Sequence, residues 1–294
     1  MRFSIGDATV DIIVDDDNFT LPLSEFFPGA DPELLERHGG TLEPEFFDRA
    51  AGLARFAIQS FVLRTGGKTL LIDCCIGDHK DIPEIPAWHQ RRGSGFLDRL
   101  RQTGVDPAEV DLVFCTHLHV DHVGWNTQAD NGRWKPTFPN ARYLFGRREL
   151  ADWMAQHDAG RALPIHARAL EQSVIPIVEA KRCDLVTSDH AVEDLVSLIP
   201  TPGHTIDHYA VQLGRAGKDA VITGDLIHSP LQARYPELAM RVDYDPAQGA
   251  ATRRKFLETY CDTNTLCCFA HFPSPSRGYV KRWGNGFKCE YITD

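Results

Sequence analysis

No stretch of this 294-residue chain reaches the ~18 to 20 consecutive apolar residues of a membrane span, and Met1 to Asp17 carries acids where a secretion signal has an apolar run. A cytoplasmic chain with no membrane partner is expected. Surplus positive charge is missing as well: 31 Lys and Arg against 41 Asp and Glu leave a formal net charge of -10, the reverse of a face that neutralises phosphates. No nucleic-acid partner is expected. The eight cysteines include no Cys-x-x-Cys pair. Cys74-Cys75 and Cys267-Cys268 are adjacent, and neighbouring strand residues point to opposite faces, so reduced buried thiols are expected in place of a disulfide framework or a thiolate metal site. There is no Gly-x-Gly-x-x-Gly and no Gly-x-Ser-x-Gly. Gly67-Lys68-Thr69 imitates the end of a phosphate-binding loop, but Val62 stands where that loop's first glycine belongs. Dinucleotide folds, P-loops and serine hydrolase elbows are thereby set aside. No repeat or low-complexity segment is visible.

With 43% hydrophobic residues the chain can bury a sizeable core. Strand-like runs at Thr9 to Val14, Arg55 to Thr65, Thr69 to Asp73, Leu112 to Thr116, Arg142 to Phe145, Val196 to Pro200, Tyr209 to Leu213, Ala220 to Thr223 and Leu266 to Ala270 alternate with helical patterns at Gly95 to Thr103, Arg147 to Gln156, Ile165 to Val174 and Pro246 to Tyr260. Asp245 before Pro246 reads as a helix cap, and Gly66-Gly67 as a hairpin turn. The fold class is α/β, with residues 1–294 as one domain. Phe19 to Phe47, rich in Pro, Gly and acids, predicts an irregular N-terminal lobe over about 15–50. Its Phe26-Phe27 and Phe46-Phe47 pairs suit a pocket, a homodimer contact or packing on a sheet.

The chemistry concentrates where the apolar run Leu112-Val113-Phe114-Cys115 leads into Thr116 and then His117-Leu118-His119-Val120-Asp121-His122. Three histidines and an aspartate in six residues are costly to bury without partners, and imidazole and carboxylate are the ligands zinc accepts. Three further residues each follow an apolar run: His204 after Thr201-Pro202-Gly203, Asp225 after Thr223-Gly224, and His271 after Phe269-Ala270. Gly203 lets the backbone turn tightly before His204.

In this order the motifs resemble those of the metallo-β-lactamase fold superfamily, from about Phe56 to His271. The resemblance implies an αββα four-layer sandwich. It implies that His117, His119 and His204 hold one metal, Asp121, His122 and His271 a second, and that Asp225 bridges them. The cofactors would be two divalent ions, zinc foremost, with iron or manganese as alternatives. Asp73 looks like the aspartate that braces the histidine loop in this family, but the position two residues on, usually glycine, is Cys75. True β-lactamases lack the bridging carboxylate. Ribonuclease and glyoxalase branches have it, but the acidic charge and the lack of recognisable extra domains disfavour them. The lactonase, esterase and organophosphate hydrolase branches remain. Acyl-homoserine lactonases carry tyrosine three residues after the bridging aspartate; here that residue is His228, as in phosphotriesterase-like members.

The expected activity is hydrolysis of a lactone or other ester of a small molecule by a metal-bridging hydroxide, with Asp121 orienting the water. His228 either donates to the developing oxyanion or protonates the leaving group; its bland counterpart is a partly exposed loop histidine. The alternatives are organophosphate hydrolysis, an iron-dependent sulfur or oxygen oxidoreductase, and a non-catalytic metal-binding protein. His208 is weighed as a partner of the ligands. His38, His79, His89, His157, His166 and His190 read as surface, and Arg277 and Lys281 as members of a solvated loop.

Overall fold

The computed structural model describes every residue except 32, 35–36, 39–41, 43–44, 188–190, 194–195, 215–218 and 293–294. Two compact units emerge, Met1–Asp16 with Ile58–Glu193, and Asp17–Ala57 with Asp194–Asp294. The architecture is mixed α/β. The expectation for His190 lies outside the described residues.

In the first unit, Lys68–Ile72, Leu112–Phe114, Arg142–Gly146 and Cys183–Val186 form a parallel run in that spatial order. Parallel strands need crossovers, and helices Phe96–Gln102 and Arg147–Asp158 lie within them. Because such strands are covered on both faces they read as unbroken apolar runs, as Leu70-Leu71-Ile72 does with each residue buried. The histidine run starts at the carboxyl end of Leu112–Phe114, the end at which open parallel sheets place their sites. Lys68 pairs with Thr65 around Gly66-Gly67, so the expected hairpin forms.

The helix expected over Ile165 to Val174 is broken into Pro164–Ala169, a wide π-type turn Leu170–Val174, and Ile175–Glu179. Pro176 has no N–H for the carbonyl of Gln172 and would clash with it in a regular helix. That carbonyl instead accepts from Thr127 Oγ1 at 2.5 Å and from Lys80 Nζ at 3.3 Å. Lys80 is buried, also donates to Thr127 Oγ1 at 2.7 Å, and lies 3.7 Å from the Trp134 ring centroid. Burial pushes its amine well below the ordinary lysine range. The unfolded chain then holds a proton that the folded chain releases, from that depressed value up to about 10.5, and stability rises with pH across this window. Lys80→Met should flatten that rise in urea denaturation curves taken between pH 7 and pH 9.

In the second unit, the sheet runs Val196–Pro200, Tyr209–Leu213, Ala220–Ile222, Leu266–Cys268, Arg277–Trp283, Gly286–Tyr291. Its neighbours are antiparallel except Ala220–Ile222 with Leu266–Cys268, which are parallel. The helix Pro246–Tyr260 lies in the connection between those two strands and buries Gly249, Arg253, Phe256, Leu257 and Tyr260, a stripe at helical spacing. Asp245 caps it, accepting from the Gln248 N–H at 3.0 Å. Asp225 and His271 follow the carboxyl ends of this parallel pair. Phe26, Phe27, Phe46 and Phe47 join the unit's apolar core with Phe56, Phe256 and Phe272.

Two further sequence expectations change. The strand at Thr9 extends over Ala8–Pro22, so the expected irregular stretch begins with extended chain followed by the short helix Leu23–Phe26. Arg277 and Lys281 sit on the strand Arg277–Trp283, hairpinned to Gly286–Tyr291, and Arg277 is buried. The Lys-Arg-Trp stretch of that strand is charged and leaves its outer residues exposed, so the apolar alternation that marks a strand is faint. No helix among the described residues is long and apolar enough to cross a membrane.

Candidate metal centre

Each unit carries part of the expected ligand set, and in each the chain orients the rings from behind. In the first unit, Asp73 accepts from the Thr116 N–H at 2.8 Å and from the Thr116 hydroxyl at 3.0 Å. With its proton so used, Thr116 Oγ1 accepts from His117 Nδ1 at 3.1 Å, leaving Nε2 as the ring's lone-pair nitrogen. His122 Nδ1 lies 3.0 Å from Asp73 Oδ2. The rings of His117 and His122 are 4.2 Å apart, and those of His117 and His119 4.5 Å. Asp121 lies in the turn Val120–Val123 and is half-buried.

The loop itself is held by its backbone. The Cys74 N–H donates to the His122 carbonyl at 2.7 Å, and the Gly124 N–H to the Cys75 carbonyl at 2.8 Å. Glu149, buried, accepts from the Leu118 N–H at 3.0 Å. Cys75, where the family usually has glycine, has φ 43°, in the left-handed region that costs a residue with a Cβ about 1 to 2 kcal/mol. Its buried thiol lies 3.0 Å from the Ser60 hydroxyl.

In the second unit, His204 Nδ1 donates to Asp243 Oδ1 at 2.8 Å, and His271 Nδ1 to the Ala57 carbonyl at 2.9 Å. The opposite nitrogens converge on Asp225: His271 Nε2 is 2.9 Å from Oδ1, His204 Nε2 3.3 Å and His228 Nε2 3.0 Å from Oδ2. Asp225, His228 and His271 are all buried, and their donor atoms lie within 4.8 Å of one another. His208, fully buried, accepts from the Asp225 N–H at 2.9 Å and donates from Nδ1 to Thr201 Oγ1 at 2.7 Å. It therefore braces two loops at once, those that bear His204 and Asp225.

Electrostatics in this unit favour a cation. Burial opposes charge on His204, but Asp225 and Asp243 outweigh it and raise the ring to about 9. Burial dominates for His228 and holds it down to about 3, despite Asp225. Phe26, edge-on to His228 at 5.7 Å, belongs to that dry wall. The partly exposed histidine of the bland reading is thus a neutral, buried one, 2% exposed.

These observations answer whether the residues suit divalent ions. Imidazoles with one nitrogen tied to a carboxylate, hydroxyl or carbonyl and the other presented beside a carboxylate are what zinc-type sites require. They fit. Sequence reading missed Asp243 and Arg253. Arg253 is buried and donates to the carbonyls of Leu226 at 2.7 Å, Pro236 at 2.8 Å and Leu238 at 3.0 Å, tying down the segment that bears His228 and Asp243. Neither residue stands at a motif spacing; the one available signal was an arginine on the apolar stripe of a helix.

Residues 53–271 match the metallo-beta-lactamase superfamily. The chain belongs to that superfamily. Among superfamily members, ribonuclease Z of Mycobacterium avium (strain 104) is 25% identical over 258 residues, 76% of this chain and 83% of that protein. The N-acyl homoserine lactonase AttM of Azorhizobium caulinodans is 37% identical over 70 residues, 22% of this chain and 23% of that protein. The solved structure of AidC, a dizinc quorum-quenching lactonase, superposes with a TM-score of 0.80 at 22% identity, covering 100% of this chain and 98% of that one. That likeness establishes the metallo-beta-lactamase fold. His117, His119, Asp121, His122, His204, Asp225 and His271 all lie within the matched span, as does His228.

Proposed function

We propose that the chain is a dinuclear metal-dependent hydrolase that opens a lactone or related ester of a small molecule. In this proposal His117, His119 and His204 would hold one ion, Asp121, His122 and His271 the other, and Asp225 would serve both. The observation that carries this reading is Asp225, whose two oxygens each lie beside a different imidazole Nε2, His271 on one and His204 with His228 on the other. When bound, such ions polarise the scissile carbonyl and acidify water. The chain does the rest. Asp121, half-buried and reachable by solvent, takes up the proton of the attacking water. His228, held neutral by burial, acts as a hydrogen-bond donor to the developing oxyanion rather than as a cationic acid. Asp73, Asp243 and the Ala57 carbonyl keep the ligand rings in one tautomer and one orientation.

RNA phosphodiester hydrolysis is the second reading, favoured by the extent of the ribonuclease Z match and opposed by the net charge of -10. The deciding experiment loads the full chain with zinc, counts the ions, and compares turnover of an N-acyl homoserine lactone, an aryl ester, a phosphotriester and a structured RNA. Two ions and preferential lactone opening are expected. Preferential RNA or phosphotriester cleavage would replace the substrate assignment, and a single iron with dioxygen uptake would replace the reaction class.

A further inference from the structure

His166 is three residues into the helix Pro164–Ala169, outside every motif of the superfamily match's ligand set, and reads from sequence as a surface histidine. The structure places it elsewhere. Its ring stacks on Trp153 at 4.4 Å between centroids with an 18° interplanar angle, and its other neighbour is the ring of His119 at 5.3 Å and 29°. Trp153 comes from the helix Arg147–Asp158, is 6% exposed, and also meets His119, at 5.8 Å. Three rings from three separate segments of one unit thus form a triangle of mutual contacts, one corner of which is a proposed ligand.

A polar atom lies behind one ring nitrogen of His117, His122, His204 and His271, and His119 meets the rings of His166 and Trp153. An imidazole that turns about its Cβ–Cγ bond swings its ligating nitrogen away, and a stacked neighbour of fixed orientation opposes that swing. Trp153 is a suitable anchor for both rings, because it is large, buried and carried by a helix of 12 residues. The broken helix that follows supplies the approach: Pro164 starts it, and the wide turn at Leu170–Val174 redirects the chain after Ala169.

We infer that His166 is a positioning residue that fixes the ring of His119 for metal binding by stacking, with Trp153 as its backing. The inference rests on the proposed metal centre. What it asks of His166 is a flat ring, so His166→Phe should substitute where His166→Ala does not.

The test uses the full chain and the metal alone. Zinc retention is measured by competition with a chromogenic chelator, and the cobalt-substituted protein is followed by its visible absorption bands, which report ligand geometry without any substrate. His166→Ala is expected to weaken retention of one ion roughly tenfold and to shift the cobalt bands, in the range found when groups that orient ligands are removed. His166→Phe is expected to keep both near the parent values. Parental retention and bands in His166→Ala would overturn the inference, as would equal loss in both variants, since a flat ring would then not be what matters. If the parent chain itself binds no zinc or cobalt, the metal-centre reading fails first, and that result is distinct from either outcome.

Discussion

Asp225→Ala should yield a folded chain that retains at most one metal ion and loses on the order of 10³-fold or more in turnover of its preferred substrate, since the carboxylate proposed to serve both ions, worth several kcal/mol, is removed. The carboxylate is buried, and three imidazole nitrogens lie within 3.3 Å of its two oxygens. Alanine leaves those rings with no anion between them. The metal count, taken by elemental analysis after dialysis, separates the loss of an ion from the loss of a single hydrogen bond. Full rate with two ions retained would sink the bridged arrangement. Asp225→Asn sharpens the result: it keeps the volume and one oxygen but not the charge, and is expected to lie close to alanine in metal content while keeping the parent's folding stability.

Replacing either of two neighbouring glycines should have opposite consequences. At Gly203, φ is 134° and an added Cβ would sit 2.3 Å from the Cα and N of Gly249. Both the backbone angle and the contact exclude a side chain. Gly203→Ala is expected to cost about 3 kcal/mol or more, the combined scale of backbone strain and overpacking. It should also displace His204, because the Asp245 N–H donates to the Gly203 carbonyl and the Tyr244 N–H to the His204 carbonyl, at 2.9 and 3.0 Å. At Gly249, inside the helix Pro246–Tyr260, an added Cβ meets nothing closer than 3.6 Å. Gly249→Ala should therefore stabilise by about 0.5 to 1 kcal/mol through helix propensity. Thermal unfolding of both metal-free variants checks the pair. A tolerated Gly203→Ala would mean that the loop bearing His204 has more room than the structure gives it.

That asymmetry shows how the two sources of information divide. In sequence, Gly203 and Gly249 are two glycines 46 positions apart, one before a histidine and one on a helix pattern. Which of them lacks room depends on the direction a Cβ would take once loop and helix are packed, and no local pattern encodes it. The same holds for Cys75. The sequence shows only that it departs from the glycine usual in the family, and the φ of 43° shows that the backbone still takes a glycine-like conformation there.

Periodicity and end signals made the parallel strands, the helix Pro246–Tyr260 with its Asp245 cap, and the Gly66-Gly67 hairpin readable. Each is set by residues close in the chain. The histidine-aspartate run was readable for a related reason: burying so many polar groups in six residues demands a shared purpose, and the demand is visible without knowing the fold. The break at Leu170–Val174 was half visible, since Pro176 stood in the sequence while the acceptors' new partners, Lys80 and Thr127, stood about 90 and 45 residues away.

By itself, then, the sequence determined the α/β class, the family, and the residue types offered to a metal, because these follow from local propensity and from motifs that a short backbone segment presents as a unit. Tertiary structure alone decided what stands behind the proposed ligands. Asp73 and Thr116 set His117 and His122, Asp243 sets His204, the Ala57 carbonyl sets His271, His208 holds the Asp225 backbone, and Trp153 with His166 meets His119. Hydrogen bonds and ring contacts act over 3 to 6 Å in space whatever the separation along the chain. Partners such as Ala57 and His271, 214 residues apart, become neighbours only when the strands that carry them have packed.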